Sequence, residues 1–167
     1  SMSNCTSDAD IDLMIVTSPN TLWLTRLFVY LKICPLRRKP QVTSAPDKIC
    51  DNLYLDTYHL PLTTHNLHLA HEVLQAKCLF DRAGIHHQFL LANSWAKKFL
   101  PVAYRESLKK LNHKTIKPSS YLSILFFPIN LFLFFLQYLY MRSKMTTERV
   151  SLGSAFFHPH SVVPTSS

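Results

Sequence analysis

The sequence predicts an α+β (α/β) fold: a small mixed sheet with helices on one face, followed by a helical C-terminal half. Three observations lead there. Residues 10–15 alternate strictly, with Asp10, Asp12 and Met14 on one side and Ile11, Leu13 and Ile15 on the other, the period-two pattern of a half-buried strand. A second strand is predicted from Ile49 to Leu55. Longer segments with helical apolar spacing follow, and one of them, Tyr121 to Met141, contains no charge at all. The 167 residues have room for one good core and a small second unit. A hydrophobic content of 47% with only 2 Gly and 17% charged residues marks a folded chain rather than a disordered one. The expected division is a sheet core at residues 1–60 and a helical region at 61–167.

The first strand holds the most informative chemistry. Asp10 and Asp12 point the same way, and like charges that close cost free energy unless a cation sits between them. A hard divalent ion such as Mg²⁺ takes oxygen ligands and leaves positions for phosphate. The alternative for the same two residues is a solvated strand face. Ser18 and Pro19 then read as a helix start, Ser18 capping and Pro19 in the first turn. The helix runs to about Ile33, is apolar nearly all round, and uses Trp23 as core. Arg26 is its one charge before Lys32, and a cation on a buried helix calls for an acid or a phosphate as partner.

Pro35 to Pro40 ends that helix and carries Arg37, Arg38 and Lys39, a solvated basic turn or an aid to anion binding. On the second strand, Cys50, Asn52, Tyr54 and Asp56 form the more polar set, placed on the open side with Asp10 and Asp12. His65, His68 and His71 have a metal-like look, but on a helix the outer two diverge by about 240° and cannot converge on zinc. Helices are predicted at Leu67 to Phe80 and Phe89 to Leu111, the second bent or broken at Pro101. A polar linker follows to Ser120. The uncharged stretch is long enough to cross a bilayer, with Tyr121, Tyr138 and Tyr140 near its ends and Lys117, Arg142 and Lys144 outside. Pro128, Asn130 and Gln137 inside it favour a helix packed on the domain instead, with a membrane anchor as the alternative.

The net charge of +8 suits a polyanionic partner such as a nucleotide, a nucleic acid or a membrane surface. No nucleic-acid motif accompanies it. The 4 cysteines form no C-x-x-C pair, which fits a reducing, cytoplasmic setting, and the polar N-terminus lacks the pattern of a secretory signal.

Several blocks resemble one family. Asp10-Ile11-Asp12-Leu13 with Thr17, then Leu22-Trp23-Leu24-Thr25-Arg26, is similar to the acidic strand and following helix of bacterial-type nucleotidyltransferase-like domains of the DNA polymerase beta superfamily. Lys48 to Asp56, Ala92-Asn93-Ser94-Trp95 through Phe99-Leu100-Pro101, and Tyr140 to Lys144 with Phe156-Phe157-His158-Pro159 continue the likeness in order. The resemblance implies that residues 1–60 form a partial nucleotidyltransferase-like sheet core. It also implies that Asp10 and Asp12 hold Mg²⁺ (or Mn²⁺) against a nucleoside triphosphate during nucleotidyl transfer to an acceptor. A third acid is expected from the second strand. Asn52 stands where it is looked for, so Asp56 is taken as that acid, and Arg26 as a phosphate contact. Such domains also carry a Gly-Ser pair on a helix upstream of the acids, and this sequence begins at Ser1 without it. The second expectation is therefore a truncated or inactive form that keeps the fold and binds a nucleotide or partner.

Overall fold

The computed structural model describes residues 11–33, 49–81, 83–111, 120–143, 145 and 148–157. The fold is α+β. Its elements are β1 (Ile11–Thr17), α1 (Leu22–Ile33), β2 (Ile49–Asp56), α2 (Leu67–Gln75), α3 (Ile85–Ala92), a 3₁₀ helix (Ser94–Lys98), α4 (Pro101–Lys110), α5 (Ser120–Arg142), β3 (Arg149–Val150) and β4 (Ser154–Phe156). They fall into two compact units. One comprises residues 11–58 and 120–157, the other residues 59–111. The sheet thus draws on both ends of the chain: α5 and the two short C-terminal strands join it.

In the sheet unit the strand order is β1-β2-β4-β3. β1 and β2 run parallel with α1 as their crossover, and β4 pairs antiparallel with both β2 and β3. A parallel pair needs such a crossover because a tight turn cannot bring the chain back to the same end. Leu22, Trp23, Tyr54 and Ala155 form the fully buried centre, closed over by Ile15, Leu133, Phe134, Met141 and Phe157 among others. Trp23 is the core residue its helix predicts. Its ring lies 5.1 Å from that of Phe134, and its Nε1 donates to the Ser151 carbonyl at 3.1 Å. Burying an indole of this size removes enough apolar surface to contribute about 5 kcal/mol of transfer free energy.

The start of α1 differs from expectation. Pro19 and Asn20 form a turn, with Asn20 at φ 59°, and the helix begins at Leu22. Ser18 does not cap it: its carbonyl accepts from the Thr21 hydroxyl at 2.8 Å. The cap comes from α5. Asn130 Oδ1 accepts from the backbone N–H of Trp23 at 2.8 Å and of Leu24 at 3.3 Å, two donors in a first turn that has no carbonyls of its own to offer them. Nor is α1 buried all round, since Phe28, Tyr30 and Leu31 are exposed.

β2 carries a register shift. Asp12 pairs with Cys50 and Met14 with Leu53, so the one residue between on β1 faces two on β2. Such a bulge resets the alternation. Tyr54, predicted on the open side with Cys50 and Asn52, lies in the core, edge-on to Phe157 and donating its hydroxyl to Asp51 Oδ2 at 2.9 Å.

In the other unit the chain is organised around the fully buried Asn93. Its Oδ1 accepts from the Leu62 N–H at 2.8 Å and from Trp95 Nε1 at 3.1 Å, while Nδ2 donates to the carbonyls of Leu60 and Phe89. These bonds break the predicted Phe89 to Leu111 helix at Asn93, well before Pro101, which instead opens α4. The predicted first helix ends at Gln75 rather than Phe80. Gly84 enters α3 in the left-handed region at φ 68°, where a Cβ would crowd the chain. Asp81 receives the N–H groups of Ala83, Ile85 and His86 there.

Asn93→Ala strips four hydrogen bonds from a closed site, and urea unfolding should report a loss of roughly 3 kcal/mol; a change within error would show the network to be dispensable. Acid should weaken this unit in two stages. Burial pushes the His86 imidazole below its ordinary 6.5, the nearby Asp81 only partly opposing it. Partial burial pushes the Asp81 carboxyl up, but the backbone N–H groups of Ile85, His86, Ala83 and Gly84 outweigh it and hold it below 3.8. Both groups have depressed folded values, so the unfolded chain takes up each proton first. Stability is complete above 6.5, falls as pH drops through that value, and falls again below 3.8. A urea midpoint that rises on acidification from neutral pH would contradict this.

Candidate functional site

Among the described residues, the parallel pairing of β1 with β2 sets a constellation at the place of the predicted chemistry. It puts Asp12 opposite Cys50, and the bulge swings Asn52 beside Asp12. Asn52 Nδ2 donates to Asp12 Oδ1, and Cys50 donates its thiol hydrogen to Asn52 Oδ1 at 2.8 Å. Cys50 is buried, Asn52 half-buried and Asp12 exposed. The result is a carboxylate presented to solvent and oriented from behind by an amide, itself held by a buried thiol.

The other candidates are placed as follows. Asp10 lies outside the described residues. Asp56 pairs with Thr17, five residues along β1 from Asp12, a separation of about 16 Å at the rise of an extended strand. Asp56 is buried, and its Oδ1 accepts from the Tyr58 N–H at 2.9 Å, turning the chain out of β2. It therefore does not meet Asp12. Asn52 takes the place expected of the third acid. Arg26 is held within its own unit: Nη1 donates to Gln137 Oε1, and the guanidinium sits 4.5 Å from the Phe157 ring centre and 5.7 Å from that of Trp23. Gln137 in turn donates to the Trp23 carbonyl at 3.0 Å. An amide and two aromatic faces are thus among the partners of Arg26. The basic turn Arg37-Arg38-Lys39 and the pair His158 and His160 lie outside the described residues.

Of the three spaced histidines, His65 and His68 have separate engagements. His65 stacks on Trp95, ring centres 4.5 Å apart, and its Nε2 lies 3.1 Å from the Leu62 carbonyl. His68 Nε2 approaches Glu72 Oε1 at 3.5 Å on the surface of α2. Among the described residues no three His, Cys, Asp or Glu side chains gather as metal ligands.

The donors around Asp12 suit a hard cation in part. The Asp12 carboxylate is a hard ligand, whereas the Cys50 thiol is not and Asn52 turns its amide nitrogen, not its oxygen, toward Asp12. Mg²⁺ needs only one or two carboxylates when substrate phosphates complete its shell, and Asp12 is the exposed carboxylate that the described residues place here.

Asn130 and Gln137 signal a packed helix in the sequence, but Ser123 and the regular spacing of all three along one inward edge of α5 are not read there. Ser123, Asn130 and Gln137 recur every seven residues in an otherwise apolar helix. That spacing is the signal, since two helical turns return a side chain to the same face. Comparison of the chain with protein-family models, with curated protein sequences and with solved structures returned no match.

Asn130→Ala should cost about 2 kcal/mol in thermal melting, because it leaves two N–H groups at the head of α1 without an acceptor in a closed site. Asn130→Asp, which keeps the acceptor and suits the positive end of the helix, should recover most of that loss. A full recovery by Asn130→Leu instead would mean that packing, not capping, is what the position supplies.

Proposed function

We propose that this chain is a nucleotidyltransferase-like protein that binds a nucleoside triphosphate together with Mg²⁺ (or Mn²⁺) at the Asp10–Asp12 edge of its sheet, in a form with weakened transfer activity. The observation that carries the reading is the Asn52–Asp12 hydrogen bond. It supports a site built across β1 and β2 at the place the resemblance implies, with an amide where an acid is expected. Asp12 would hold the cation, Asp10 would share it, and Asn52, its amide oxygen taken up by the Cys50 thiol, would orient Asp12. The bound cation would neutralise phosphate charge and stabilise what develops at the transferred phosphorus. With Asp56 remote and Asn52 neutral, β2 sets no carboxylate beside Asp12 among the described residues to accept a proton from the acceptor hydroxyl. That deficit favours nucleotide binding over efficient transfer.

A second reading concerns location. Among the described residues one helix, at Ser123–Arg142, is long and apolar enough to cross a membrane, and only 11% of its most apolar window is buried. A packed core helix would be mostly buried. The exposed face supports a membrane-associated protein over a freely cytoplasmic one.

Asn52→Asp tests the site directly. A third carboxylate should tighten Mn²⁺ binding about tenfold and lower the melting temperature of the metal-free protein through like-charge repulsion. Asp12→Asn should abolish Mn²⁺ and ATP binding with the fold intact, and any transfer of labelled nucleotide should vanish with it. Unchanged metal affinity in both variants would remove the site from consideration.

A further inference from the structure

We propose that the chain docks on an anionic bilayer surface with α5 lying in the plane of the headgroup boundary rather than crossing the membrane, an inference that rests on the membrane-association reading above. Two sides of α5 carry the argument. Its outer side presents Ile124, Leu125, Phe132, Phe135, Leu136 and Leu139, all more than half exposed. No charge interrupts residues 121–141. Scattered apolar residues on a surface need no explanation, but a continuous apolar face along a helix of 23 residues does.

The inner side fixes the orientation. Ser123 and Asn130 are buried there. Asn130 caps α1, and Gln137 joins the Trp23 carbonyl to Arg26. A helix that crossed the bilayer would either strip these bonds or carry Arg26, Asn130 and Gln137 into hydrocarbon. Both alternatives are costly, because nothing in lipid replaces the lost partners. Lying in the plane keeps every bond and still removes the outer face from water. The polar side that an interfacial helix needs is supplied here by its contact with α1.

What covers the face is indicated by its borders. Tyr121 and Tyr140, near the two ends of α5, are 86% and 68% exposed, in keeping with the preference of tyrosine for the headgroup level. Arg142 closes the helix and Lys32 ends α1, both exposed. Together with a net charge of +8, they complement anionic lipid. A face shaped for a protein partner would carry a polar rim along its length rather than tyrosines near its ends and cations gathered at one of them.

The test uses the full chain added to preformed, sealed vesicles. Flotation should be stronger by about tenfold with phosphatidylcholine–phosphatidylglycerol vesicles than with phosphatidylcholine alone, and salt should weaken it. Phe132→Glu with Leu136→Glu should reduce flotation about tenfold or more while leaving the melting temperature unchanged, since both side chains are exposed. Trypsin added outside should cut on both flanks of α5, after Lys114 and after Arg142 or Lys144. Flotation with one flank protected would overturn the in-plane geometry and leave membrane association standing. Absence of flotation, with the chain either monomeric or self-associating through this face, would overturn both.

Discussion

The rest of the sheet unit depends on one side chain reaching across it. Asn130 Oδ1 accepts the N–H groups of Trp23 and Leu24, supplying from a helix more than a hundred residues later the cap that the local sequence does not provide. With that contact made, α5 has one permitted rotation. Phe134 then meets Trp23, Gln137 meets Arg26, and the chain beyond α5 returns as β3 and β4 to close the core over Tyr54. A local cap would have served α1 equally well. Taking it from α5 makes the folding of α1 and the docking of α5 one event, and it costs loop-closure entropy that only the completed core offsets.

The first half of the sheet unit is legible in the sequence because its elements have period-two or helical patterns long enough to read. β1 and the end of α1 stand where those patterns place them, and β2 runs one residue further, to Asp56. What escaped are features with no period. The bulge opposite Leu13 changes which face Tyr54 occupies, and an insertion of one residue leaves no mark in composition. β3 and β4 have two and three residues, shorter than any alternation that a pattern can establish. Asn93 looks like any polar residue in a helical stretch until its four partners are known.

The site shows the same division. Asp12 and Asn52 are legible as residue types on adjacent strands, but the parallel ladder pairs Asp12 with Cys50, and only the bulge brings Asn52 beside it. Asp56 was misplaced because counting along a strand says nothing about register, and the register sets it opposite Thr17. The sequence marks Arg26 as a cation in need of an acid or a phosphate. Its partners came from Gln137 and Phe157, which no spacing rule links to it. The apolar stretch of α5 was read as a choice between core helix and membrane span, whereas its two sides do different things: one serves the core and the other faces out.

The coupling between α5 and α1 is tested most directly by amide hydrogen exchange at Trp23 and Leu24 in the full chain without detergent. The second and third N–H groups of a helix have no intrahelical acceptor and ordinarily exchange fast. The account predicts slow exchange at both, comparable to the core of β2, and loss of that protection in Asn130→Ala. Exchange at unprotected rates in the parent chain would contradict it, because α5 would then not be holding α1 at all.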